Sequence, residues 1–150
     1  MERTLVLVKP DAVQRGLIGE VLLRLERTGL KIIALKMLRM DRDMAGQHYG
    51  IHQGKAFFEG LVQFITSGPL VAAVLEGPGA VEVVRKEMGE TDPVKALPGS
   101  IRGDLALSIG RNIVHGSDSS ENARKEISLF FKHGEILDYE RQIDGWIRES

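Results

Sequence analysis

His115 is the residue in this sequence best suited to covalent chemistry. It sits in Asn112-Ile113-Val114-His115-Gly116-Ser117-Asp118, and its imidazole carries a nucleophilic nitrogen flanked by a glycine that adds no bulk. A large group such as a phosphoryl could therefore approach the ring in line. Read without its neighbours, a histidine before a glycine equally suits a turn that bonds only backbone. The 150 residues contain no cysteine, so covalent catalysis must use another side chain, and disulfides and thiolate metal sites are excluded.

A helix is expected directly after the histidine, because Ala123, Ile127, Phe130 and Phe131 recur at helical spacing. Asp118 with Glu121 fits a capping pair, and Asp118 or Ser117 suits the acceptor of the first-turn amides. Glu126 falls within this helix. A carboxylate against one ring nitrogen would fix the tautomer of His115 and leave the other nitrogen free. Alternatively, Glu126 is a solvated partner of Lys125 or Arg124.

The chain supplies elements to position such a site. Thr4–Val8 reads as a buried strand ended by Lys9-Pro10-Asp11, which leaves Lys9 either facing an anion or snorkelling at an edge. An amphipathic helix is expected over 16–28, a strand over 30–40, helical segments over 41–53 and 57–65, a strand over 70–75, and a helix from Ala80 to Gly89. A long Pro/Gly-punctuated loop fills 90–104, a fourth strand is expected over Leu105–Ile109, and the polar tail from Lys132 carries Ile136, Leu137, Tyr139, Ile143, Trp146 and Ile147 as anchors. The order β-α-β-(αα)-β-α-β-α predicts one domain over residues 1–150. Its expected class is an α/β ferredoxin-like sandwich with a four-stranded antiparallel sheet.

His48 and His52 stand four apart, as helical metal ligands do, but no Glu follows His48 as the zinc hydrolase pattern requires. No protein-held metal is expected there. Of the adjacent Phe57 and Phe58 only one can face a helix-packed core, which leaves the other as a stacking platform. There is no GxxxxGK[ST] loop and no dinucleotide GxGxxG after a strand. Phosphate, if bound, would be held by side chains, and Lys9, Arg85, Thr91, Arg102 and Asn112 lie where they could converge near His115. A net charge of -1 advertises no polyanion surface, and no run approaches the length of a membrane span, so a cytoplasmic protein is expected.

Four stretches in order, TLVLVKPDAVQRGLIGE, FFEGLVQFITSGPLVAAVLEG, GETDPVKALPGSIRGD and NIVHGSDSSENARKEISLFF, strongly resemble nucleoside diphosphate kinase over nearly the whole chain. The resemblance implies that His115 takes the γ-phosphoryl of a nucleoside triphosphate and passes it to a nucleoside diphosphate in a ping-pong cycle. Glu126 would hold the imidazole, with Ser117 bonded near that pair. Lys9 and Asn112 match residues at the sugar hydroxyls and transferring phosphate, Arg85, Thr91 and Arg102 match residues on the phosphates, and Tyr49 matches one lining the site. Phe57 matches the ring on which the base stacks, with Leu61 beside it. His52 falls where some members place a phosphate-proximal histidine and others do not. Mg²⁺ would ride on the nucleotide phosphates, and a homohexamer is implied by the full-length loop from Thr91 to Asp104, with a tetramer as the alternative.

Two other classes compete on the residues themselves. A module binding single-stranded nucleic acid would use Phe57 and the basic residues, but the chain has few aromatics for a dedicated platform. A phosphohistidine hydrolase or mutase would need an activated water or a second acid, and no second histidine motif supplies one.

Overall fold

The computed structural model describes residues 1–149. Four strands, β1 (Glu2–Val8), β2 (Lys31–Leu38), β3 (Leu70–Gly77) and β4 (Val114–Gly116), form one sheet in the order β2-β3-β1-β4. Every neighbouring pair is antiparallel. Helices α1 (Pro10–Gln14), α2 (Ile18–Glu26), α3 (Arg42–His48), α4 (Phe58–Ile65), α5 (Ala80–Met88), α6 (Ile101–Leu105), α7 (Ser120–Phe130) and α8 (Asp144–Ile147) complete the chain. This is the expected ferredoxin-like arrangement.

Strand alternation divides the core in two. Val6 and Val8 of β1, with Val71, Ala73 and Leu75 of β3, pack under α2 and α5. Leu5, Leu7, Ala72 and Val74 point the other way, towards α3, α4 and α7. Both central strands are buried on both faces, which is why they read as unbroken apolar runs.

β4 does not lie over Leu105–Ile109, as the sequence suggested. Ser100 caps α6 by accepting from Gly103 N at 3.1 Å, and the helix consumes Leu105. Leu107 and Ile109 stand exposed on a turn closed by a Ser108–Arg111 bridge. The strand forms later because only 114–116 can pair with β1, with Leu7 opposite His115. The histidine is therefore part of a sheet edge and not of a turn.

Two smaller differences follow from chain geometry. The helix expected over 16–28 is preceded by α1, because Pro10 at the first helical position starts a turn as readily as it ends a strand. The tail docks along the β2 side, with Leu137 N donating to Ile33 O at 2.9 Å and Tyr139 Oη to Ile32 O at 2.5 Å. Trp146 is not an anchor but points outward, while Ile147 covers Gly29.

Gly103 is the glycine with least freedom to change. A Cβ there would overlap the Leu97 carbonyl, which is backbone and cannot swing aside. Gly103→Ala should lower the unfolding free energy by about 1–3 kcal/mol, readable in denaturant titration.

Candidate active site

His115 projects from the edge strand β4 towards α7, and Glu126 meets it from two turns into that helix. His115 Nε2 lies 3.0 and 3.1 Å from the two carboxylate oxygens of Glu126. Ser117, fully buried just past the end of the strand, donates its hydroxyl to Glu126 Oε1 at 2.5 Å. The solvated alternative for Glu126 is thereby set aside. Burial pushes the Glu126 carboxyl up, but the His115 hydrogen bond and charge, with Ser117 and His48, outweigh it and hold it below the ordinary value. An ionised carboxylate accepts, so Nε2 carries the proton. Nδ1 is left with no partner among the described residues.

The helix that carries Glu126 is capped by Ser119, which accepts from Asn122 N at 3.0 Å. Asp118 instead accepts from the Asn122 side-chain amide at 2.6 Å, so neither Asp118 nor Ser117 is the cap. Gly116 also acts differently from expectation. A Cβ there would stand 2.5 Å from Met88 Sδ and 3.0 Å from Val84 Cγ1, on the face opposite His115. Its small size admits α5, not a ligand.

The strand is delivered by a strained approach. Ile113 is fully buried with φ 77°, a left-handed conformation that costs a β-branched residue of order 1–3 kcal/mol. It is held because its N–H donates to Asp11 Oδ2 at 3.0 Å and its carbonyl accepts from Lys9 N at 2.9 Å. The opening Lys9-Pro10-Asp11 segment thus fixes the chain two residues before the histidine.

A cleft of about 700 Å³ opens at this edge of the sheet. His48, Tyr49, His52, Arg85, Thr91, Arg102, His115, Asp118 and Glu126 line it. Lys9, Phe57, Leu61, Ser117 and Asn112 do not, although Ser117, Asn112 and Phe57 each contact a lining residue and Lys9 reaches one through Asn112. Lys9 Nζ donates to Asn112 Oδ1, and Asn112 Nδ2 donates to Thr91 O at 3.0 Å. Burial, partly opposed by Asp11, lowers Lys9 to about 8. Phe57 is half exposed with its ring 5.1 Å from that of His52, while Phe58 packs on the core. Leu61 lies one turn along, donating its N–H to Phe57 O at 3.1 Å.

The two cleft arginines differ. Arg85 is exposed and, among the described residues, makes one long hydrogen bond, of 3.5 Å to Gly116 O. Arg102 is 6 % exposed and spends its guanidinium on three backbone carbonyls, Val114 at 2.6 Å, Gly89 at 3.1 Å and Asn112 at 3.2 Å. Burial and Arg85 lower it to about 10, which still leaves it charged. It brings a cation to the cleft while tying the loop before α6 to the histidine strand.

His48 and His52 do not form a pair. α3 ends at His48 and Gly50–His52 is a 3-10 turn, so the four-residue spacing loses its helical meaning. His52 turns to Phe57, whereas His48 turns inward with a side chain only 2 % exposed. Its ring meets that of His115 edge to face at 4.9 Å, and its Nδ1 is 3.8 Å from Glu126 Oε2. His48, His115 and Glu126 present ligand atoms within 4.8 Å of one another. A tetrahedral zinc holds its ligands about 3.3 Å apart, and here the carboxylate is already bonded to His115 and Ser117, so the set suits hydrogen bonding better than a metal. Spacing gave no signal for His48 facing His115; only its apolar neighbours in α3 hinted at burial.

The family model described as nucleoside diphosphate kinase matches residues 2–136. A protein of that name from Thermomicrobium roseum is 61% identical over 98% of this chain and 99% of its own length. One from Archaeoglobus fulgidus is 58% identical over 100% and 99% respectively. A halophilic nucleoside diphosphate kinase from Halobacterium salinarum, solved in complex with CDP, superposes with a TM-score of 0.96 at 49% identity, covering 99% of each chain. A nucleoside diphosphate kinase family protein from Babesia bovis gives 0.96 at 46%, covering 99% of this chain and 100% of its own.

Burial, with the charge of His115, holds His48 down at about 4. From the ordinary histidine value down to about 4, the unfolded chain therefore binds a proton that the folded chain excludes. Stability should fall across that window as pH drops, by up to about 3 kcal/mol for this group. Denaturant titrations at about pH 7 and about pH 4.5 should show a smaller difference in His48→Phe than in the wild type.

Proposed function

The chain belongs to the nucleoside diphosphate kinase family, and from that premise we propose that it carries the γ-phosphoryl group of a nucleoside triphosphate to a nucleoside diphosphate by way of His115. The observation that supports this most is the division of labour in the imidazole: Nε2 is committed to Glu126 while Nδ1 has no partner among the described residues. The Nδ1 lone pair forms a bond to the γ-phosphorus as the bond to the β,γ-bridging oxygen breaks, and the diphosphate leaves. A phosphate oxygen of the second diphosphate then attacks the same phosphorus and frees Nδ1. The Nε2 proton stays with the ring throughout, bonded to Glu126.

Transfer of this kind has a loose transition state with charge on the equatorial oxygens, so positioning and cations do most of the work. Arg85, Arg102 and Lys9 supply positive charge, and Thr91 and Tyr49 supply hydroxyls at or near the cleft wall. Asn112 joins Lys9 to the Thr91 backbone at the cleft wall. Phe57 with Leu61 gives a base an apolar face without edge recognition, which predicts broad base specificity.

Mg²⁺ fits this site as an ion borne by the nucleotide. Of the lining carboxylates, Glu126 is bonded to His115 and Asp118 to Asn122, so a protein cage of hard oxygens is not assembled. Bound to the phosphates, Mg²⁺ neutralises their charge and fixes their geometry.

The same reading carries a cytoplasmic enzyme working as a homohexamer, with a tetramer as the competing assembly. Among the described residues no helix is long and apolar enough to cross a membrane. Val94 and Leu97, in the loop before α6, are exposed as an assembly contact requires. Light scattering distinguishes the two assemblies.

Incubation with γ-labelled ATP should place acid-labile label on the protein, and the label should chase onto added GDP. His115→Ala should carry none, and undiminished label on that variant would reject the reading. GDP, CDP, UDP and ADP should all accept the label, with rates within about tenfold of one another. Use of a single base would remove the argument from Phe57.

A further inference from the structure

Among the described residues the buried Nδ1 of His48 finds no hydrogen-bond partner, although burying an unpaired polar nitrogen costs about 1–3 kcal/mol. Such an orphan calls for a physical reason. The nitrogen faces Glu126, at 3.8 Å from Oε2, the same oxygen that lies 3.0 Å from His115 Nε2. A lone pair pointed at an anion is repelled, whereas an N–H pointed at it is attracted. The proton of His48 therefore belongs on Nδ1. At 3.8 Å the contact is too long for a hydrogen bond, but catalytic hydrogen bonds commonly tighten once substrate is bound.

We infer that His48 is a positioning residue whose Nδ1–H acts as a reserve donor to Glu126, steadying the carboxylate that orients His115 while the imidazole takes up the phosphoryl group. This rests on the reading of His115 given above and deepens it. When Nδ1 of His115 bonds to phosphorus, the ring becomes electron-poor and its Nε2–H a stronger donor, so Glu126 is drawn towards it. Ser117 holds Oε1 at 2.5 Å, and among the described residues Oε2 has no hydrogen-bond partner other than His115 itself. His48 Nδ1, 3.8 Å away, is placed to hold that second oxygen. The carboxylate then keeps its angle to the ring instead of rotating about the Ser117 bond.

The surroundings favour a neutral donor. His48 packs edge to face on Tyr49 at 4.7 Å, on His115 at 4.9 Å and on Phe130 at 5.7 Å. These contacts keep the ring in one orientation and deny it the water a cation needs. A lysine there would neutralise Glu126 and weaken its hold on His115. A neutral N–H adds a dipole and leaves the negative charge intact. Burial lowers His48 to about 4, in keeping with a ring that stays neutral at physiological pH.

Two substitutions separate this role from packing. His48→Phe keeps the ring and removes the donor; His48→Asn places an amide N–H close to where Nδ1 stood and removes the ring. Single-turnover labelling at saturating γ-labelled ATP gives the rate of phosphoenzyme formation, and ADP titration gives binding. The Phe variant should label about 10–100-fold more slowly with ADP affinity within about threefold of wild type, and the Asn variant should recover most of the rate. Equal losses in both variants, or no loss in the Phe variant, would overturn the inference. Should either variant fail to fold, ¹⁵N NMR of the wild-type imidazoles decides: His48 must show a protonated Nδ1, and an unprotonated Nδ1 refutes the role outright. Absence of any label on wild-type His115 would instead reject the underlying function, so the two failures are distinct.

Discussion

The contact between Glu126 and His115 is the constraint on which the rest of the structure depends. It requires a strand and a helix to arrive at a fixed separation, with the imidazole facing out of the sheet and the carboxylate facing in. A carboxylate at 3.0 Å decides the tautomer of the ring, and the tautomer decides which nitrogen can react. Everything that locates β4 relative to α7 therefore bears on chemistry. Ser117 does so directly, because it belongs to the connection between the two elements and bonds the carboxylate as well.

The position of β4 is set from behind. Three residues of pairing to β1 would be a weak tether for an edge strand, and the structure reinforces it from both ends. Before the strand, Asp11 and the Lys9 amide hold Ile113 in a conformation an isoleucine does not adopt unaided. Along the strand, Arg102 bonds the carbonyls of Asn112 and Val114 and also that of Gly89, so one buried cation joins the strand to the end of α5. Opposite His115, the absence of a side chain at Gly116 lets Met88 and Val84 close against the sheet. The strain at Ile113 persists because these contacts together over-determine the backbone.

Charge in the cleft is arranged by the same economy of parts. Arg85 is free to meet a ligand, whereas Arg102 offers its field from a fixed place with most of its donors occupied by carbonyls. Lys9 keeps its ammonium partly dehydrated beside Asn112, where its interaction with an anion is less screened than at an open surface. The rings of His52 and Phe57 meet at 5.1 Å, which places an exposed aromatic face beside the cleft wall.

The sequence by itself determined the order and class of the elements. Helical apolar spacing records which side of each helix is buried, and the unbroken apolar runs of Leu5 to Val8 and Leu70 to Leu75 record strands covered on both faces. It also presented His115, Glu126 and the scattered cations as candidates, since residue type alone limits which groups can attack, hold or bind phosphate. Tertiary structure decided what depends on distance between segments far apart in sequence. Leu105–Ile109 looked like a strand because five apolar or small residues in a row satisfy either a strand or a helix end, and only pairing with β1 chose 114–116 instead. His48 was invisible as a partner of Glu126 because 78 positions separate them and helical spacing drew attention to His52. Whether a glycine serves a ligand or a neighbouring helix, and whether an arginine is free or bonded to carbonyls, likewise follows from what stands within a few ångströms in space. Local pattern carries no such information.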